Sequence, residues 1–133
     1  MKNNVLILSG LSGSGKSAAL NTLEDAGYFA IDNLPGQLLP HLLKLPPIHR
    51  LAVVMDARDR DFVKNFRAYF RLFKSRGIHF KLLFFDARDD VLIRRFSETR
   101  RRHPLAPFEN VALGIRRERD LLHGLRDCVV HLE

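Results

Sequence analysis

Cysteine is almost absent: the 133 residues contain one, Cys128. A single thiol cannot close an internal disulfide, and no Cys/His group has zinc-site spacing, so a secreted disulfide scaffold and a zinc module are both excluded. Long apolar runs are missing too. The opening stretch Val5, Leu6, Ile7 and Leu8 is too short for a signal-peptide core, and nothing approaches the roughly 18 residues of a membrane helix. The chain is therefore expected to make no membrane contact and to be cytoplasmic. Internal repeats and low-complexity stretches are lacking, and the candidate linkers, 45–50 and 103–108, are short enough to be loops inside one domain, 1–133. Acids are in deficit, 15 Asp and Glu against 22 Lys and Arg, for a formal net charge of +7. Sixteen of those cations are Arg, whose planar fork grips phosphate through two bonds where Lys offers a point charge. Phosphorylated partners are the expectation; the alternative is a basic surface that serves solubility.

What is present is an alternation of two kinds of segment. Apolar runs of strand length occur at 5–8, 28–31, 51–55, 81–85 and 128–132, mostly without polar alternation, as in strands covered on both faces. Between them, 17–26, 36–43, 62–75, 90–101 and 109–122 have helical spacing. Gly27, Pro46 with Pro47, and Gly77 punctuate the first three helices. This alternation predicts a parallel sheet of about five strands with right-handed crossovers.

Directly after the first strand stand Gly10, Leu11, Ser12, Gly13, Ser14, Gly15, Lys16 and Ser17, the complete G-x-x-x-x-G-K-[ST] pattern, opening a helix. Glycines let backbone N–H groups turn inward around phosphates, and the positive end of the helix reinforces the cradle. The motif predicts that Lys16 reaches the β- and γ-phosphates and that the Ser17 hydroxyl ligates Mg²⁺. A nucleoside triphosphate, ATP or GTP, is the expected ligand. The fold this implies is a P-loop, kinase-like three-layer sandwich, for which strand order 2-3-1-4-5 is expected by analogy.

Such a site also needs an acid near the metal, and Asp32, Asp56 and Asp86 each end an apolar run. Each is equally suited to capping the next helix. Asp56 is the first choice, because its strand would neighbour the P-loop strand. The other unusual stretch runs from Arg94 to His103 with five Arg and one Glu, a local charge of +4. It reads as a phosphate-facing lid, with a solvated helix face and a nucleic-acid contact as alternatives.

The P-loop together with Asp32-Asn33-Leu34-Pro35, Asp56-Ala57-Arg58 and the block from Leu92 to Leu105 resembles the RapZ/YvcJ family of bacterial nucleotide-binding proteins. The resemblance covers the whole chain. It implies an amino-terminal domain that binds and slowly hydrolyses ATP or GTP, with residues 10–17 as the first nucleotide motif and Asp56, Ala57, Arg58 and Asp59 as the second. Lys16, Asp56, Arg94 and Arg101 are the expected catalytic residues, and Ser17 with Asp56 the expected Mg²⁺ ligands. Some members of that family are RNase adapters that bind small RNAs and respond to an amino-sugar phosphate, controlling amino-sugar metabolism. RNA and RNase binding is usually assigned there to a second domain, so this chain reads as the amino-terminal half of a longer protein. Apolar surface left on one sheet face would favour homo-oligomers.

Two other readings stay open. A small-molecule kinase shares the fold and lid, and would need a base on its acceptor hydroxyl, for which the 32–35 loop is the candidate. A nucleic-acid module would rest on the charge and the arginine block, but Phe96 is the only aromatic there for base stacking.

Overall fold

The computed structural model describes residues 4–44, 50–99, 111–126 and 130–132, with 97–99 and 130–132 described by their backbone alone. The strands are β1 (Asn4–Gly10), β2 (Phe29–Asp32), β3 (Arg50–Val54), β4 (His79–Phe85) and β5 (Val130–Leu132). Between them lie α1 (Lys16–Asp25), a 3₁₀ turn (Gly36–Leu38) leading into α2 (Leu39–Leu42), α3 (Arg60–Ser75), α4 (Asp89–Thr99) and α5 (Val111–Arg126). All pairings are parallel, in the order β2-β3-β1-β4-β5. The expected fold class and strand order are therefore observed.

Strand periodicity sorts the core into two layers. Val5, Ile7, Leu51, Val53, Leu82 and Phe84 face the cluster completed by α3, α4 and α5. Leu8, Ala52 and Val54 face the smaller cluster under Leu20 of α1. β1 sits between β3 and β4, at the point where crossovers depart in opposite directions, so its carboxyl end opens into a crevice. The P-loop leaves from there.

Three expectations change in detail. Burial on both faces holds for β1 and β3, but β2 is an edge strand with Phe29 half exposed, and Leu83 and Phe85 of β4 are half-buried on the α1 face. The helix predicted over 36–43 is a 3₁₀ turn plus a single α-turn: Pro40, lacking an N–H, falls in its first turn. The last helix continues four residues past its expected end, to Arg126.

α3 carries the firmest local logic. The Asp59 carboxylate accepts from the Phe62 N–H at 3.1 Å, capping the helix, and Phe62, Val63, Phe66 and Phe73 form its buried stripe. Phe70 meets Phe80 of β4 at 5.1 Å between ring centroids, locking α3 across the sheet.

Candidate functional site

The P-loop is held at its base by the sheet. Gly10 pairs with Phe85, and the Leu11 N–H donates to the Phe85 carbonyl at 3.1 Å. The Ser14 N–H folds back onto the Leu11 carbonyl at 3.1 Å, closing the turn. Gly15 takes φ +105°, a left-handed conformation, and the first bond inside α1 runs from the Ala19 N–H to the Gly15 carbonyl at 3.1 Å. The N–H groups of Lys16, Ser17 and Ala18 precede that bond, so the positive helix end is offered outward at the crevice. Gly13, Gly15 and Ser17 are exposed there.

Lys16 is the first residue of α1 rather than a loop residue, and it is buried, 8% exposed. Its ammonium donates to the Gly10 carbonyl at 2.7 Å and lies 3.0 Å from Asp56 Oδ2. Asp56, one residue beyond Met55 whose N–H extends the β1–β3 pairing, is 3% exposed. Its other oxygen accepts from the Arg58 N–H at 3.1 Å and from Arg58 Nε at 2.9 Å. Arg58 also donates to Asp32, making a chain Lys16–Asp56–Arg58–Asp32 along the carboxyl ends of β1, β3 and β2.

Burial by itself would raise the Asp56 pKa, but Lys16 and Arg58 together hold it below its ordinary value of 3.8. The Arg58 pKa, which burial would lower, is raised by Asp56 and Asp32. A depressed carboxylate contributes stability that is present above its unfolded-state pKa and lost as pH falls toward the folded one. Asp56→Asn is thus expected to flatten the acid limb of thermal stability below about pH 4, measured as melting temperature against pH.

Of the other strand-end acids, Asp86 is engaged by α5, lying 2.9 Å from Arg119 and 3.4 Å from Arg126. In the arginine block, Arg94 is exposed, and its neighbour Arg95 reaches the P-loop, donating to the Gly13 carbonyl at 2.6 Å. A Cβ on Gly13 would touch the Phe96 ring at 3.4 Å, so α4 packs directly on the loop. Arg101 lies outside the described residues.

The sequence reading missed Glu118. It is 1% exposed on α5, and its carboxylate accepts from both the N–H and the hydroxyl of Ser12, each at 2.7 Å. A signal was present: position 118 falls on the helical stripe Ile115, Glu118, Leu122 and Leu125, where an acid stands among core positions.

Both expected metal ligands are hard oxygen donors, a hydroxyl at Ser17 and a carboxylate at Asp56. That sparse set suits Mg²⁺, which keeps most of its waters and takes few protein ligands. Among the described residues no helix is long and apolar enough to cross a membrane.

Residues 3–130 match the RapZ-like N-terminal domain. A nucleotide-binding protein of Geobacter metallireducens is 53% identical over 127 residues, 92% of this chain and 45% of that protein. One of Myxococcus xanthus is 50% identical over 126 residues, 92% of this chain and 44% of that protein. The chain spans about half the length of the curated relatives it matches. Among solved structures, a shikimate kinase from Acinetobacter baumannii in complex with shikimate superposes with TM-score 0.64 at 17% identity, covering 100% of this chain and 84% of that one. The tunicamycin resistance protein of Deinococcus radiodurans gives TM-score 0.59 at 16% identity, covering 99% and 86%. At such identities the likeness is one of fold.

Proposed function

Since this chain belongs to the RapZ-like N-terminal domain family, we propose that it is a regulatory nucleotide-binding domain that binds ATP or GTP and hydrolyses it slowly. The observation that carries this reading is the P-loop itself: glycine-shaped backbone and the open end of α1 at the crevice beside β1, with Lys16 and Asp56 paired at its base. That the relatives are named nucleotide-binding proteins supports it. We place the triphosphate on the N–H groups of Gly13, Gly15, Lys16 and Ser17, with the Lys16 ammonium turning from Asp56 toward the β- and γ-phosphates.

Ser17 and Asp56 would hold Mg²⁺, which neutralises charge developing on the transferred phosphoryl group. Asp56 is already paired through both oxygens, so it is released as a ligand only as Lys16 moves to phosphate. Arg58 stays on Asp56 and Asp32 and orients the acid. Arg95 rests on the P-loop carbonyl, which supports the reading of the arginine block as a lid over phosphate, and Arg94 and Arg101 are proposed for the same lid.

A kinase would need Asp32 as base. Arg58 donates to its Oδ1, and the Asp32 side chain is about half exposed, so the other oxygen could still serve an acceptor hydroxyl. The relatives' extra length supports a second domain, to which the RNase-adapter role, RNA binding and the sensing of an amino-sugar phosphate would belong, in the cytoplasm. Assembly into homo-oligomers through the half-buried Leu83 and Phe85 face belongs to the same proposal.

The experiment replaces Asp56 and Asp86 with Asn and measures the Mg²⁺ concentration that supports ATP and GTP hydrolysis. Asp56→Asn is expected to need several-fold more Mg²⁺, and Asp86→Asn to resemble wild type. A larger requirement for Asp86→Asn reverses the assignment. An acceptor-dependent, stoichiometric phosphorylated product would replace hydrolysis by the kinase reading.

A further inference from the structure

Glu118 stands where an apolar residue would be cheaper. Ile115, Leu122 and Leu125 flank it on the buried face of α5, and a carboxylate there must be fully hydrogen-bonded to offset its desolvation. Ser12, the third residue of the P-loop and 106 positions away, binds it twice. The two bonds, both 2.7 Å, are charge-assisted and span the backbone and side chain of one residue, fixing the peptide plane as well as the position.

The loop's amides fall into two groups. Those of Leu11, Ser12 and Ser14 are held by the protein, on the Phe85 carbonyl, the Glu118 carboxylate and the Leu11 carbonyl. Those of Lys16 and Ser17 precede the first intrahelical bond, at the open end of α1 beside the crevice. Of these three amide restraints one comes from β4, one is internal and one comes from α5 through Glu118, while Arg95 of α4 holds the Gly13 carbonyl. Gly13, the next residue, has φ +82° and no side chain of its own to steady it.

We propose that Glu118 is a positioning residue of the nucleotide site: by holding Ser12 it presets the ascending limb of the P-loop in the shape that phosphate requires. This rests on the nucleotide-binding reading above. The loop then spends none of the binding free energy on ordering, which is where a preorganised anion site gains affinity. α5 becomes part of the site without touching the ligand.

The test titrates the whole chain and its Glu118→Gln and Ser12→Ala variants with Mg-ATP and Mg-GTP, at a temperature where each is folded by circular dichroism. Amide hydrogen exchange of the nucleotide-free proteins is followed in parallel. Glu118→Gln keeps size but loses the charge and one acceptor. It is expected to speed exchange at Ser12 and Gly13 about tenfold, to leave the β1 and β3 amides unchanged, and to weaken triphosphate binding about tenfold. Ser12→Ala keeps the amide bond and should weaken binding only a few-fold. A merely structural Glu118 would lower the melting temperature with affinity unchanged in the folded protein, and that result overturns the proposal. Unchanged exchange at Ser12 overturns it as well. If Glu118→Gln does not fold, Ser12→Ala decides: wild-type affinity and exchange together refute the positioning role. Failure of the wild type to bind either nucleotide overturns the functional reading instead, while the exchange data still report whether Glu118 holds the loop.

Discussion

Gly10→Ala is expected to destabilise the fold more than any other single substitution in the P-loop. Gly10 has φ +127°, and a Cβ built there would lie 2.0 Å from the Phe85 carbonyl oxygen and 2.7 Å from the Phe85 nitrogen. Both atoms belong to the backbone of β4, which Gly10 pairs with and which carries the Leu11 hydrogen bond, so neither can step aside without opening the sheet beside the site. The cost combines steric overlap with a backbone conformation that L residues avoid, about 4 kcal/mol or more, or roughly 15 °C in melting temperature for a domain of this size. Gly15→Ala is the matched control. Its φ is also positive, +105°, but nothing lies within 4 Å of the added Cβ, so only backbone strain of about 1–2 kcal/mol applies. Thermal unfolding of both variants followed by circular dichroism checks the ordering. Equal losses would mean that the Phe85 contact relaxes.

Lys16→Ala is expected to lose nucleotide affinity about 10²-fold and to abolish hydrolysis, since it removes the charge assigned to the β- and γ-phosphates. The structure adds a second consequence that the motif does not announce. With Lys16 gone, the Asp56 carboxylate stays buried, retaining only its Arg58 contacts, and the domain loses about 1–3 kcal/mol besides. A loop lysine serving only the ligand would leave stability untouched. The double variant Lys16→Ala with Asp56→Asn separates the two effects: stability should recover in part, because the uncompensated charge is gone, whereas affinity should not. Calorimetric titration and melting of Lys16→Ala, Asp56→Asn and the double variant read both outcomes.

Legibility follows the range of the interaction. The P-loop, the helix of α3 and the parallel sheet were accessible because each is encoded in a contiguous pattern: glycine spacing after an apolar run, Phe62, Phe66 and Phe73 on one stripe, strand and helix in alternation; the strand order came by analogy. Asp59 illustrates the boundary. Its place in the second nucleotide motif suggested a ligand contact; the bond the structure shows is a local one, to the Phe62 N–H, which caps α3. Between Arg94 and Arg95 spacing alone does not choose, because the rotation of α4 about its axis is set by Leu92 and Phe96 packing on Gly13, and that rotation brings Arg95 to the loop.

By itself the sequence determined the P-loop unit, the parallel three-layer architecture and the acids that end its strands, because these depend on backbone conformation and hydrophobic periodicity within a few residues. Only the tertiary structure decided which charges meet. Lys16 finds Asp56 across two adjacent strands, Asp32 is claimed by Arg58 and Asp86 by Arg119, and Ser12 is held by a glutamate from the other end of the chain. Buried charges choose partners by proximity and desolvation, quantities that exist only after the sheet has assembled and excluded water.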